Sequence, residues 1–260
     1  MTTALITGAS TGIGEKFARE LASRQTNLVL VARSQAKLDS LATELSSKHQ
    51  IKTTVIAQDL TTTVARHAVF DTIQAQDLTI DLLINNAGFG DYGAFSDRPL
   101  SKMMEMLQLN IAAVVELTGL FLPLMQARKD GAIINVSSIA AFQPIPYMSV
   151  YAASKAFILN FSEALWAENK DLGVKVLAVC PGPTESEFYA RANFPNSAKA
   201  LNKTTMASAE KVVQESLNAL NKNYSTAVVG GLTNQIIVNL PRLMPRDLLV
   251  DVVGKQFKNI

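Results

Sequence analysis

The sequence predicts one doubly wound α/β domain: a seven-stranded parallel sheet with helices on both faces. Three observations predict it. Short, nearly all-apolar runs alternate with helix-period segments along the whole chain, the pattern of buried parallel strands and their crossover helices. No linker, low-complexity tract or internal repeat divides residues 1–260. A composition of 48% hydrophobic and 18% charged residues can fill a core that offsets the ordering entropy of a single domain.

The elements follow in order. Ala4–Thr7 reads as a strand ending at glycine, and Glu15–Ser23 as a helix with Phe17, Ala18 and Leu21 on one face. Asn27–Ala32 is an unbroken apolar strand. Behind Ser34, a good N-cap, Leu38, Leu41, Ala42 and Leu45 recur at helical spacing. Lys52–Ala57 and Asp81–Asn85 predict strands on either side of a helix at Thr62–Ala75. A long helix is expected over Pro99–Ala127, a strand over Ala132–Val136, a helix over Val150–Asn169 and a strand over Val174–Cys180. A helix at Ser208–Leu220 and a strand at Thr226–Val229 complete the sheet.

Met106–Ala127 and Gly131–Ser154 are long enough for membrane spans. Gln108, Asn110 and Glu116 interrupt the first, and Pro144 and Pro146 the second, so both are expected to be deeply buried elements of a soluble protein. Lys+Arg 24 against Asp+Glu 22 leaves a net charge of +2 with no basic block, which argues against binding nucleic acid by phosphate neutralisation. Cys180 is the only cysteine, and His49 and His67 lie far from every motif. No disulfide and no metal site are expected. The start Met1-Thr2-Thr3 has no charged region of a signal peptide, so a cytoplasmic, reducing location is expected.

In a doubly wound sheet, ligands sit outside the carboxyl ends of the strands at the switch point. Chemistry is therefore expected just after Thr7, Ala32, Ala57, Asn85, Val136 and Cys180. After the first strand comes Thr7-Gly8-Ala9-Ser10-Thr11-Gly12-Ile13-Gly14, opening into a helix. Gly8 suits a tight turn, Gly12 a close approach to pyrophosphate, and Gly14 helix–sheet packing, while the helix N-terminus offers free N–H groups. A Gly-Lys-Ser/Thr ending is absent, which excludes a triphosphatase loop. The second strand ends Val31-Ala32-Arg33-Ser34. A carboxylate there would read the ribose 2′-hydroxyl of NAD; instead Arg33 and Ser34 offer a guanidinium and a hydroxyl suited to the 2′-phosphate of NADP. Tyr151 and Lys155 stand one helical turn apart, where an ammonium is expected to lower the phenol's pKa. Ser138 precedes Tyr151 by thirteen residues, at the end of a buried strand.

Together these residues resemble the short-chain dehydrogenase/reductase family, of the NADP-preferring carbonyl reductase type. The resemblance rests on Thr7–Gly14, Asp59, Asn-Asn-Ala-Gly (Asn85–Gly88), Asn110, Asn-Val-Ser-Ser (Asn135–Ser138), Tyr-x-x-x-Lys (Tyr151–Lys155) and Pro-Gly (Pro181–Gly182). It implies a Rossmann fold and a catalytic set of Asn110, Ser138, Tyr151 and Lys155. In that set Tyr151 protonates the carbonyl oxygen and Ser138 polarises it. Lys155 lowers the tyrosine pKa and holds the nicotinamide ribose, and Asn110 completes a proton relay through a helix carbonyl and water. It implies NADPH/NADP+ held by Gly8, Ser10, Thr11, Gly12, Ile13 and Gly14 at the phosphates. Arg33 and Ser34 would take the 2′-phosphate, Asp59 and Leu60 the adenine, and Asn86, Ala87 and Gly88 the adenosine ribose. Pro181 and Gly182 would border the nicotinamide. Either Thr184 or Ser186 would bond the carboxamide or a phosphate. A homodimer or homotetramer through Pro99–Ala127 and Val150–Asn169 is also implied.

Phe188, Tyr189 and Phe194 are expected in an apolar lid (residues 184–206), and Phe142, Ile145, Tyr147 and Met148 along the same pocket. The apolar tail 241–260 could pack on the pocket, on a subunit or at a membrane surface. Cys180 is expected to be buried packing, and Trp166 to serve the core or a subunit contact. The leading reading is NADPH-dependent reduction of an apolar aldehyde or ketone. A 3-oxoacyl thioester reductase, met by Arg191 and Lys199, and an alcohol dehydrogenase are the alternatives. A non-enzymatic NADP-sensing protein is disfavoured by the presence of Ser138, Tyr151, Lys155 and Asn110 together.

Overall fold

The computed structural model describes residues 2–185, 187–195 and 206–258, without the side chain of Arg242. Its elements are β1 (Thr3–Thr7), α1 (Gly12–Ser23), β2 (Asn27–Ala32), α2 (Gln35–His49), β3 (Thr53–Ala57), α3 (Thr63–Ala75) and β4 (Leu82–Asn85). Then come α4 (Leu100–Leu107), α5 (Ala113–Arg128), β5 (Gly131–Val136), α6 (Ser149–Asn169), β6 (Val174–Pro181) and α7 (Phe188–Arg191). The last are α8 (Ala209–Asn221), β7 (Thr226–Val229), α9 (Leu232–Asn239) and α10 (Arg246–Lys258).

The seven strands form one parallel sheet in the order β3-β2-β1-β4-β5-β6-β7. The chain winds outward from β1 to β3, returns to β4 beside β1, and continues the other way, so the switch point lies between β1 and β4. Successive strand residues face opposite layers. Ala4, Ile6, Leu28 and Leu30 pack under α1, α2 and α8, whereas Leu5, Val29, Val31, Leu83 and Ile133 pack under α3 and α5. Because both faces are covered, the strands read as continuous apolar runs.

The helix at residues 100–128 differs from the sequence expectation in two ways. A π-helical segment, Gln108–Ala112, separates α4 from α5. Nor is the helix deeply buried: Ala113, Leu117, Phe121 and Met125 press on the sheet, while Val115 and Leu124 are exposed. Leu100–Arg128 is long and apolar enough to cross a membrane, with a third of its most apolar window (33%) buried. Gly131–Ser154 is no single helix but a strand, a 3-10 turn and the start of α6. The tail folds as a 3-10 turn (Leu240–Leu243) and α10, with Leu249 and Val253 buried in a third apolar cluster that roofs the carboxyl ends of the strands.

Buried polar contacts tie that end of the sheet to its helices. Asn85 Nδ2 donates to Thr118 Oγ1 at 3.2 Å and to Asn135 Oδ1 at 2.9 Å, and Asn135 Nδ2 donates to Ser162 Oγ at 3.0 Å. One line of contacts thus joins β4, β5, α5 and α6. Asn135→Ala removes two of these bonds in a site without water access, and is expected to lower the unfolding free energy by about 1–3 kcal/mol, measured by urea denaturation.

Candidate active site

The β1–α1 turn is fixed by close packing. Gly8 has φ +66°, a conformation that L side chains rarely adopt. A Cβ on Gly14 would lie 2.3 Å from the Gly8 carbonyl oxygen, so α1 approaches the turn as only glycine allows. Across the switch point, the Thr7 hydroxyl accepts the main-chain N–H groups of Asn86 and Ala87, both at 3.0 Å. The Asn86 amide donates back to the carbonyls of Thr7 (2.9 Å) and Gly8 (3.3 Å). The ends of β1 and β4 are therefore locked to each other, and the turn is held open above them.

A cleft of about 1400 Å³ runs along the carboxyl edge of the sheet, larger than the ~300–1,000 Å³ of ordinary small-molecule pockets. It has room for a dinucleotide and a second molecule. Gly8, Ser10, Thr11, Gly12 and Ile13 line one end; Arg33, Ser34, Asp59 and Leu60 stand around the ends of β2 and β3; Asn86, Ala87 and Gly88 form the middle. Ser138, Tyr151, Lys155, Pro181, Gly182 and Thr184 line the other end. Gly14 does not line the cleft, since its place is against Gly8. Ser186 lies outside the described residues, as does Lys199. Thr184 Oγ1 donates to the Gly182 carbonyl at 2.9 Å.

Ser34 occupies the N-cap position of α2 without spending its hydroxyl on the helix. Lys37, one turn along, lines the cleft beside Arg33 and Ser34. Lys37 is not among the residues expected from the sequence at this end, although it stands four residues after Arg33. Two cations and a hydroxyl around a cleft end with no carboxylate at Ala32 suit a ribose 2′-phosphate. With the glycine turn, which a Cβ would fill, these residues fit NADP as a whole.

At the reacting end, Ser138 caps a 3-10 turn: its Oγ accepts from the Ala140 N–H at 3.1 Å, and its hydroxyl also hydrogen-bonds Tyr151. Lys155 Nζ donates to the Val136 carbonyl at 2.8 Å and lies 5.8 Å from the centre of the Tyr151 ring. The expected effect of the lysine on the phenol is not what the structure shows. Burial pushes the Tyr151 phenol above its ordinary value, and the Ser138 hydrogen bond only opposes this. Burial also pushes the Lys155 ammonium down to about 8. With the lysine committed to Val136, loss of water outweighs any nearby cation. The phenol is consequently protonated at neutral pH, the state that a proton donor needs.

Asn110, in the π segment, does not line the cleft. Its amide donates to the Phe89 carbonyl (3.0 Å) and to Ser154 Oγ (3.1 Å), and its Oδ1 accepts from the Phe89 N–H (3.1 Å). It is a positioning residue that holds the loop after β4 to the helix carrying Tyr151 and Lys155. π-Segments recur at functional sites, but their register is not visible in hydropathy.

The far wall is apolar. Phe188, Tyr189 and Phe194 line the cleft, and Phe188 lies 5.3 Å from Tyr151, ring centre to ring centre. Ile145 and Met148 line it as well, but Phe142 packs with Leu159 and Cys180 instead. Phe142 belongs to the 3-10 turn after Ser138, and Tyr147, beyond it in a left-handed backbone conformation (φ +65°), sits against Tyr92. Phe89, Ile237 and Phe257, unremarked in the sequence, complete the wall. Asp91 anchors the lid: burial works against its carboxylate, yet hydrogen bonds from Arg98, Lys102 and Asn193 hold it below the usual carboxylate range. Cys180 is buried, and Trp166 donates its indole N–H to the Asn223 carbonyl at 3.0 Å. Among the described residues, no cluster of acids, histidines or cysteines could hold a metal.

The family model for short chain dehydrogenases matches residues 2–196. A very-long-chain 3-oxoacyl-CoA reductase of Bos taurus is 36% identical over 216 residues, covering 81% of this chain and 68% of that protein. The protein of the same name from Phaeosphaeria nodorum is 38% identical over 182 residues, covering 68% of this chain and 53% of that protein. The chain thus spans little more than half the length of this second relative. A short-chain dehydrogenase from Sphingobium yanoikuyae, solved in complex with NADPH, has a TM-score of 0.81 at 32% identity, covering 88% of this chain and 87% of that one.

The burial of Lys155 has a measurable consequence. Its folded value of about 8 lies below the ordinary lysine value of 10.5, so between those pH values the unfolded chain binds more protons than the folded one. This group's contribution to stability therefore rises with pH through that window. Urea unfolding of wild type and Lys155→Met from pH 7 to 10.5 is expected to show the variant's relative stability falling as pH rises.

Proposed function

The chain belongs to the short-chain dehydrogenase family, and on that premise we propose that it reduces the 3-oxo group of an acyl thioester with a long apolar chain. The cofactor is NADP(H), supported by the glycine turn, by Arg33, Ser34 and Lys37, and by the NADPH-bound neighbour. The observation that carries the reading is the setting of Tyr151, a buried phenol bonded to Ser138 against a wall of Phe188, Tyr189 and Phe194. The names of the bovine and fungal relatives support the thioester over the simpler aldehyde or ketone.

When bound, the reduced nicotinamide supplies hydride to the substrate carbonyl carbon. Tyr151 gives its proton to the carbonyl oxygen, whose basicity rises as the carbon is reduced. Ser138 holds that oxygen against Tyr151, its own lone pair being fixed by the Ala140 N–H. Lys155 uses one of its three N–H bonds on Val136 and keeps the others for the ribose hydroxyls. Asn110 keeps Phe89 and the Tyr151 helix in register. The aromatic wall excludes water and takes up the acyl chain.

A second reading, a bulky apolar ketone, is favoured by one observation: two cations at the substrate end are already engaged, Lys102 by Asp91 at 2.6 Å and Arg191 by Glu187, leaving less charge for an anionic carrier. Self-association through the exposed sides of α5 and α6, where Val115, Leu124 and Phe157 lie, and a cytoplasmic location belong to the same proposal.

Tyr151→Phe is expected to lower kcat by about 10²–10⁴ while NADPH affinity, followed by nicotinamide fluorescence, stays within about twofold because the phenyl ring keeps its packing. Arg33→Ala and Lys37→Ala are each expected to weaken NADPH by about 1.5–3 kcal/mol and NADH hardly at all. For substrate class, kcat/KM for a long-chain 3-oxoacyl thioester is expected to exceed that for a bulky ketone; the reverse order would select the second reading.

A further inference from the structure

Helix α9 and the turn after it present three faces with different surroundings. Asn234 and Val238 are buried against the body of the protein, and Asn234 Nδ2 donates to the Val229 carbonyl at 2.8 Å. Thr233 and Ile237 line the cleft. Leu232, Ile236, Leu240 and Leu243 fall on the remaining face at i, i+4, i+8 and i+11 spacing, 84%, 66%, 51% and 85% exposed. On α10, Leu249 and Val253 point inward, while Leu248 and Val252 are about half exposed, at 51% and 49%. Scattered single exposed leucines need no explanation, but an ordered stripe does.

We propose that the stripe of Leu232, Ile236, Leu240 and Leu243, with Leu248 and Val252 on the following helix, seats this chain on an anionic lipid surface with the mouth of the cleft beside it. Two features select lipid over a protein partner. The stripe is purely aliphatic, whereas protein interfaces anchor on aromatic side chains; an aliphatic face buried at the headgroup boundary is what interfacial helices present. The charge along the first part of it, Leu232 to Leu243, is also of one sign. From Leu232 to Arg246 the sequence carries no acidic residue and two arginines, and residues 232–258 as a whole hold four basic against two acidic groups, a balance that favours anionic headgroups. The stripe stands beside the cleft on the same helix, since residues 233 and 237 are one position on from residues 232 and 236. An apolar substrate leaving the lipid would meet Ile237 before water. The docking itself does not depend on which carbonyl compound is reduced.

The test is co-sedimentation of the full chain with phosphatidylcholine vesicles, with and without phosphatidylserine, for wild type and the Leu232→Glu/Leu243→Glu double variant. Both leucines are outside the cleft lining and at the surface, so folding and turnover of a small water-soluble ketone are expected to be unchanged. Wild type is expected to pellet with the phosphatidylserine vesicles, more weakly with phosphatidylcholine alone. The double variant is expected to bind about tenfold more weakly or worse. The milder Leu232→Gln/Leu243→Gln pair gives the same comparison if the charged pair folds poorly. Wild type remaining in the supernatant, equal pelleting of the variant, or equal binding to both vesicles would overturn the proposal. So would sedimentation velocity without lipid showing an assembly that the double variant dissolves, because a second copy would then cover the stripe.

Discussion

The Thr7 hydroxyl accepts two main-chain N–H groups from the loop after β4, and the Asn86 amide returns to the carbonyls of Thr7 and Gly8. Two strands distant in sequence are thereby closed on each other where the winding of the sheet reverses. The parallel register makes this closure possible: β1 and β4 pair through Ala4, Leu5 and Ile6 against Leu82, Leu83 and Ile84, and both reach the edge together. Everything that faces the cleft is placed relative to this seam. The glycine turn stands on one side of it, Gly88 and Phe89 leave from the other, and Asn110 clamps Phe89 to the helix of Tyr151 and Lys155.

Burial sets the chemistry of the reacting end. In water an ammonium one helical turn from a phenol would lower the phenol's pKa, but here both groups are largely buried. The phenol is driven toward its neutral form and the ammonium toward its own. A donor that is neutral at rest and bonded to a serine is suited to reduction, in which a proton must arrive as the carbonyl oxygen becomes basic. The same apolar lining that shifts these groups also supplies the contact surface for an acyl chain, so dehydration and substrate burial have one structural cause.

Much of this was legible in the sequence. Strands covered on both faces must be apolar throughout, so Asn27–Ala32 and Thr226–Val229 could be bounded to the residue. The phosphate turn and the Tyr151–Lys155 pair depend on local spacing, which sequence preserves. What was not legible depends on tertiary contact. Apolar residues in 241–260 gave no indication of which ones would face the cleft, because Leu249 and Val253, which α10 buries, read no differently in the sequence from Leu248 and Val252, which it exposes. Phe142 and Tyr147 lie between two site residues, yet a 3-10 turn at the first and a left-handed residue at the second direct them elsewhere. Lys37 was hidden because a lysine at the start of a helix looks like any solvated lysine until Arg33 and Ser34 are placed beside it. The sign of the tyrosine shift required knowing how deeply the fold buries the phenol.

The most direct test of the account is a parallel titration of the purified protein with NADPH and NADH, followed by nicotinamide fluorescence. The account predicts saturable binding of NADPH that is at least about tenfold tighter than that of NADH, the share expected of a charge-assisted contact to the 2′-phosphate. Equal affinities, or preference for NADH, would contradict the assignment of Arg33, Ser34 and Lys37. Failure to bind either would mean that the seam between β1 and β4 holds the sheet together and carries no cofactor.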